Sequence, residues 1–192
     1  MHTAVFLDRD GTINEEMGYI NHLDRFVLLP STAAAIGRIN ESGLKAVVIT
    51  NQSGAARGYF PVDLIEQVHR KMCRLLEEEG VFLDNIYTCI HAPPGEGESR
   101  GCDCRKPGIG LMLQAAHELQ LDLQSSYVVG DRLKDVEMAR NAGAKAVLVL
   151  TGYGRGELGF LGPTRKVEPD FVAEDLAEAV EWILSDMSEK AS

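Results

Sequence analysis

Five short apolar runs, at about residues 3–7, 44–49, 84–90, 126–129 and 145–150, alternate with longer stretches of helical pattern. Strands joined through helical crossovers lie parallel, and a parallel sheet is covered on both faces, so its strands read as continuously apolar. The pattern therefore predicts an α/β fold: a Rossmann-like parallel sheet with helices on both faces. The helix signals cover Ser31 to about Ser42, Pro61 to about Gly80, Gly108 to about Gln120, Leu133 to Asn141, and Glu174 to about Met187. Ser31 can cap the first and Gly43 can stop it; Pro61 suits a first turn. With 192 residues, 45% hydrophobic and 25% charged, the chain suits one domain over residues 1–192. No gap between the runs has room for a separate cap domain. An open, capless cleft is expected, with specificity carried by rim loops around residues 15–19 and 91–105.

Three of these runs end in polar clusters. The first ends in Asp8-Arg9-Asp10-Gly11-Thr12, the second in Thr50-Asn51-Gln52-Ser53-Gly54, and the fourth in Gly130-Asp131-Arg132-Leu133-Lys134-Asp135. In an open parallel sheet, ligands bind outside the carboxyl ends of the strands, so the three clusters should converge. Gly11 allows a sharp turn, so the two neighbouring carboxylates can face a common target, one attacking while the other moves a proton. Crowded acids repel unless a cation offsets them, and an all-oxygen set favours Mg²⁺. Taken singly, Thr50 and Asp131 read as a helix cap and a turn acid, and Asp-x-Asp-Gly as a solvated strand end. Their recurrence at three strand ends favours a site.

A second constellation lies in Cys89-Ile90-His91 and Cys102-Asp103-Cys104, which bracket a Pro/Gly-rich loop unable to pack a core of its own. Three thiolates and one imidazole satisfy tetrahedral Zn²⁺, and with all four places filled the zinc is structural. Free thiols or a redox pair are the alternative. Cys73 falls inside a helix as a small core residue, His69 and His117 read as helix-surface residues, His2 has no partner in sequence, and His22 belongs to the rim segment.

The formal charge of −10 argues against nucleic-acid and acidic-membrane partners, since both are polyanions. A phosphorylated substrate would need its sign reversed locally by Mg²⁺, Arg105 and Lys106. The apolar start is too short for a secretory core, and no run approaches a membrane span, so a cytoplasmic protein is expected.

With Lys106 standing before a helix, the motifs at Asp8–Thr12, Thr50–Asn51 and Gly130–Asp131 with Asp135 resemble the four motifs of haloacid dehalogenase superfamily phosphatases. Within it the chain is similar to the heptose bisphosphate phosphatase group, with the histidinol-phosphate phosphatases close by, and both groups carry Cys-x-His…Cys-x-Cys loops. The resemblance implies hydrolysis of a small sugar bisphosphate, with Asp8 as nucleophile and Asp10 as acid and base; a monomer is expected. It implies Mg²⁺ on Asp8, Asp131 and the main-chain carbonyl of Asp10. Thr50, Asn51 and Lys106 would bind phosphoryl oxygens, with Thr50 and Lys106 counted among the catalytic groups. It further implies substrate contacts at Glu16, Met17, Gly18, Tyr19, Gln52, Ser53, Arg105 and Arg132. Asp135 either bonds Lys106 or a metal-bound water, or serves as an acid at a helix N-terminus. A phosphoaspartate signalling receiver is the rival from another class, but its acidic partners lie on a different strand from the phosphorylated aspartate.

Overall fold

A computed structural model describes residues 1–96, 101–161 and 167–191. Residues 97–100 of the cysteine-flanked loop, 162–166 and Ser192 lie outside the described residues. Six strands form one sheet: β1 (Ala4–Leu7), β2 (Lys45–Asn51), β3 (Asn85–Cys89), β4 (Tyr127–Gly130), β5 (Lys145–Val149) and β6 (Phe171–Ala173), in the order β3-β2-β1-β4-β5-β6. Every pairing is parallel, with Phe6 opposite Val47 on one side and Val128 on the other.

Both faces of the sheet are covered. Val5, Leu7, Val48 and Val129 pack with the inward stripes of α1 (Thr32–Glu41), α2 (Asp63–Glu78) and α6 (Leu176–Ala191). Phe6, Val47, Ile49 and Val128 pack on the opposite face with α3 (Gly110–Leu119) and α4 (Leu133–Ala142). Alternate residues of β1 therefore serve two cores, and all four are fully buried. Removing Phe6 would open a cavity costing ~3–5 kcal/mol.

The expected architecture holds, and the five foreseen strands and helices fall within a few residues of their expected places. The differences are informative. β2 runs on through Thr50 and Asn51, which pair with Thr88 and Cys89, so these two residues end the strand and do not follow it. Ser31 is already helical, at φ −83° and ψ −7°, and makes no side-chain cap. Helix α3 begins at Gly110, two residues later than foreseen, because turns through Gly108 N–H to Arg105 O and Gly110 N–H to Asp103 O follow the cis Lys106–Pro107 peptide. Strand β6, the helix α5 (Gly154–Leu161) and a 3₁₀ turn at Leu23–Arg25 were not foreseen. Between β1 and β2 the chain forms only the 3₁₀ turn and α1, and between β2 and β3 only α2, so neither crossover carries an inserted domain. Among the described residues no helix is long and apolar enough to cross a membrane.

Candidate active site

The sheet order turns at β1, whose neighbours are β2 and β4, and there the three polar strand ends meet. Asp8 follows β1 directly and its N–H donates to Val129 O at 2.9 Å. The chain then turns over Arg9 to Asn14, with Ile13 N–H donating to Arg9 O at 2.8 Å. Gly11 takes φ +82°, and a Cβ there would run into the Asp131 carboxylate, so both conformation and space demand glycine.

Lys106 is the electrostatic hub. Its ammonium lies 2.7 Å from Asp8 Oδ1 and 2.6 Å from Asp135 Oδ1, and donates to Ile49 O at 3.1 Å, which accounts for its three donors. Burial alone would push the Lys106 pKa down, but the carboxylates of Asp135 and Asp8 outweigh it and hold the pKa above its ordinary value. Asp135 does both things expected of it as alternatives: Oδ1 pairs with Lys106, and Oδ2 accepts from Arg132 N at 3.1 Å at the start of α4.

The carboxylates of Asp8, Asp131 and Asp135 lie within 4.8 Å of one another. Burial pushes Asp8 up to about 7, with Lys106 pulling it back and Asp135 adding repulsion. Asp131 rises to about 8, through burial and then the charges of Asp8 and Asp135. One oxygen of Asp131 accepts from Tyr153 N at 2.8 Å; the other, Oδ1, is buried with no hydrogen-bond partner in the protein. An orphaned buried carboxylate oxygen is costly, and an oxygen-only donor set of this kind fits a hard divalent cation.

Asp10 has different surroundings. It accepts from Arg9 Nη2 at 2.9 Å, Asn14 Nδ2 at 3.0 Å and Gln52 Nε2 at 2.7 Å, and its carboxylate is not part of the acid cluster. Burial would raise its pKa, but the Arg9 charge and the Asn14 and Gln52 hydrogen bonds bring it below the ordinary value. Two carboxylates two positions apart are thus driven in opposite directions by their neighbours.

These groups open into a cleft of about 250 Å³. Asp8, Asp10, Glu16, Gly18, Tyr19, Thr50, Asn51, Ser53, Arg105, Lys106 and Arg132 all line it. Met17 and Gln52 do not. Met17 lies in an outer groove with Asn21, Arg25 and Tyr59, and Gln52 sits behind the wall, donating to Thr50 Oγ1 at 2.8 Å as well as to Asp10. Sequence reasoning missed Arg57, Lys134 and Tyr153. Arg57 pairs with Glu96 at 2.6 Å and bonds the Tyr19 hydroxyl, and Arg132 lies 3.7 Å over the Tyr153 ring. Five cationic and four acidic side chains line the cleft, so the strong negative charge of the chain gives way there to a formal excess of one positive charge.

Cys89, at the end of β3, stands 3.6 Å from Cys102 and 3.1 Å from Cys104 in sulfur–sulfur distance, and His91 Nδ1 lies 3.1 Å from Cys104 Sγ. Zinc–sulfur bonds of ~2.3 Å in a tetrahedron give ligand–ligand edges of roughly 3.8 Å, so the four atoms are spaced to surround one ion. The three cysteines are free thiols. Burial pushes the Cys89 and Cys104 pKa values up, whereas for Cys102 hydrogen bonds with Cys104 and Cys89 outweigh burial and bring the thiol below its ordinary value. The cluster is tied to the cleft: Arg105 Nη1 donates to His91 O at 3.1 Å, and Gln52 N–H donates to Cys89 O at 2.7 Å.

A HAD-hydrolase-like family model matches residues 103–179. The D-glycero-D-manno-heptose-1,7-bisphosphate 7-phosphatase of Thermosynechococcus vestitus is 40% identical over 96% of this chain and 97% of its own. The D-glycero-beta-D-manno-heptose-1,7-bisphosphate 7-phosphatase of Haemophilus ducreyi is 46% identical over 78% of this chain and 84% of its own. Among solved structures, the D,D-heptose 1,7-bisphosphate phosphatase from B. bronchiseptica, complexed with magnesium and phosphate, is 35% identical. It superposes with a TM-score of 0.84, covering 96% of this chain and 99% of that one. Fold, strand-end cluster and relatives thus agree: the chain belongs to the haloacid dehalogenase-like hydrolases, in the family of the heptose-1,7-bisphosphate 7-phosphatases.

Proposed function

We propose that this protein is a Mg²⁺-dependent phosphomonoesterase that removes the 7-phosphate of D-glycero-D-manno-heptose 1,7-bisphosphate through an aspartyl-phosphate. The observation that carries the reading is the divided pair at the exit of β1, with Asp8 gripped by Lys106 and Asp10 by a separate donor set. Lys106 Nζ and Arg9 N–H both engage Oδ1 of Asp8, leaving Oδ2 to attack phosphorus. Asp10 protonates the departing sugar oxygen and then takes a proton from the water that hydrolyses the intermediate. The arrival of a phosphate dianion raises its low pKa towards that task. Thr50, Asn51 and Lys106 hold the remaining phosphoryl oxygens.

Asp8, Asp131 and the main-chain carbonyl of Asp10 are assigned to Mg²⁺, which supplies the positive charge that lets an anionic nucleophile meet an anionic phosphate. A relative crystallised with magnesium and phosphate supports the assignment. Cys89, His91, Cys102 and Cys104 are assigned to a structural Zn²⁺ that rigidifies the loop carrying Arg105. Glu16, Met17, Gly18, Tyr19, Gln52, Ser53 and Arg132 are assigned to the sugar and its second phosphate, Met17 from the outer groove and Gln52 through Thr50 and Asp10. Beyond Lys106, which Asp8 and Asp135 engage, and Arg57, which pairs with Glu96, the cleft still presents Arg105, Arg132 and Lys134, which supports a bisphosphate over a monophosphate. A monomer over residues 1–192 in a cytoplasmic setting completes the reading.

The test is kcat/KM with Mg²⁺ for both anomers of the heptose bisphosphate and for histidinol phosphate. The sugar should lead by about a hundredfold. A lead for histidinol phosphate would assign the protein to that substrate instead.

A further inference from the structure

We propose that His69 is a positioning residue for the proton-transfer step: it holds the Arg9 guanidinium, which in turn fixes the orientation of the Asp10 carboxylate. The inference rests on the role given to Asp10 above and extends it to a side chain on a different element. His69 sits on α2, four residues after Ile65 and three before Met72, both buried. That spacing places it on the inward stripe of the helix, not on the surface expected for it. There Nε2 lies 3.2 Å from Arg9 Nη1. A guanidinium can only donate, so Nε2 must be the unprotonated, accepting nitrogen. Burial and the Arg9 charge hold the imidazole pKa down at about 4, consistent with a neutral acceptor at pH 7.

The geometry divides the guanidinium between two partners. Nε and Nη2 face Asp10 at 3.3 Å and 2.9 Å, and Nη1 faces His69. Because the guanidinium is planar and rigid, a bond at Nη1 fixes the direction of the fork presented to Asp10. Arg9 is 2% exposed, so no bulk water substitutes for a lost partner. A carboxyl that must reach both a leaving oxygen and a later water depends on such orientation, since small misplacements cost rate and not binding.

The experiment compares two substrates of different leaving group in the Mg²⁺-loaded protein. Departure of a sugar alkoxide needs a proton from Asp10; departure of p-nitrophenolate does not. Because kcat/KM reports steps through that departure, His69→Leu should lower it about tenfold for the heptose bisphosphate and by less than about threefold for p-nitrophenyl phosphate. His69→Gln, whose amide oxygen can replace Nε2, should recover most of the loss. Should His69→Leu fail to fold, His69→Asn, whose shorter amide falls short of Arg9, takes its place. An equal loss on both substrates, no loss on the sugar, or no recovery with Gln overturns the proposal. Asp10→Asn separates the two claims. If that variant releases phosphate from the sugar at the normal rate, the role of Asp10 falls first. If it is inactive while His69→Leu leaves the substrate ratio unchanged, only the His69 proposal falls.

Discussion

The two clusters capable of holding an ion differ in what keeps their side chains in place. The acids Asp8, Asp131 and Asp135 stand at the ends of packed strands and at the start of α4, where sheet hydrogen bonds and two hydrophobic cores set their positions. Of the sulfur and nitrogen atoms only that of Cys89 is carried on a strand; His91, Cys102 and Cys104 stand outside every described strand and helix, in the Pro/Gly-rich segment that follows β3. The fold therefore holds like charges together in the first cluster against their repulsion. In the second, a bound ion is what would hold the chain.

The sharpest way to break this comparison is Asp8→Asn. Turnover should fall by about 10⁴-fold or more while the melting temperature stays level or rises, because a crowded carboxylate has been removed from a site the fold already holds. A large loss of stability measured by calorimetry would show that the acids do help to hold the fold. A smaller effect is expected from Cys102→Ser: bound zinc should be lost by elemental analysis, protease cleavage should appear within residues 89–104, and activity should drop only about tenfold. Unchanged zinc content would remove the loop from the comparison.

The smallest effect is on pH dependence. Asp8 and Asp131 have pKa values raised to about 7 and about 8 in the folded state, from 3.8. Their contribution to stability is therefore full below about pH 4 and is lost as pH rises through the folded values. With Mg²⁺ chelated, thermal unfolding should show stability declining from about pH 4 to about pH 8. Added Mg²⁺ should raise the melting temperature more at pH 8 than at pH 5, and Asp131→Asn should flatten the slope. A Mg²⁺ effect larger at pH 5 would contradict the sign.

Sheet, helices and strand-end site were legible because each rests on local pattern: continuous apolar runs, helix stops, and polar residues where runs cease. What was missed depends on tertiary partners. β6 is three residues long and pairs with β5 alone, too short to show periodicity. α5 is held in part by Glu157 accepting from Leu133 N, a contact no local window contains. Arg9 and His69 are 60 positions apart and meet only because α2 packs beside the β1 exit. Their signals were present singly: a cation between two acids, and a histidine in step with Ile65 and Met72. Met17 read as part of the rim, but it lies in the outer groove and packs against the hydrophobic core, a tertiary contact no local pattern shows.

Cys89 belongs to both regions at once. It is fully buried in the sheet core, its sulfur joins the Cys/His cluster, and its carbonyl receives the amide of Gln52, whose side chain bonds Thr50 and Asp10. The sulfur of one cluster is thus a single peptide unit from the scaffold of the other. A disturbance that pulled on the loop would reach the reactive edge through this shared hinge pin, with no need to travel across the molecule.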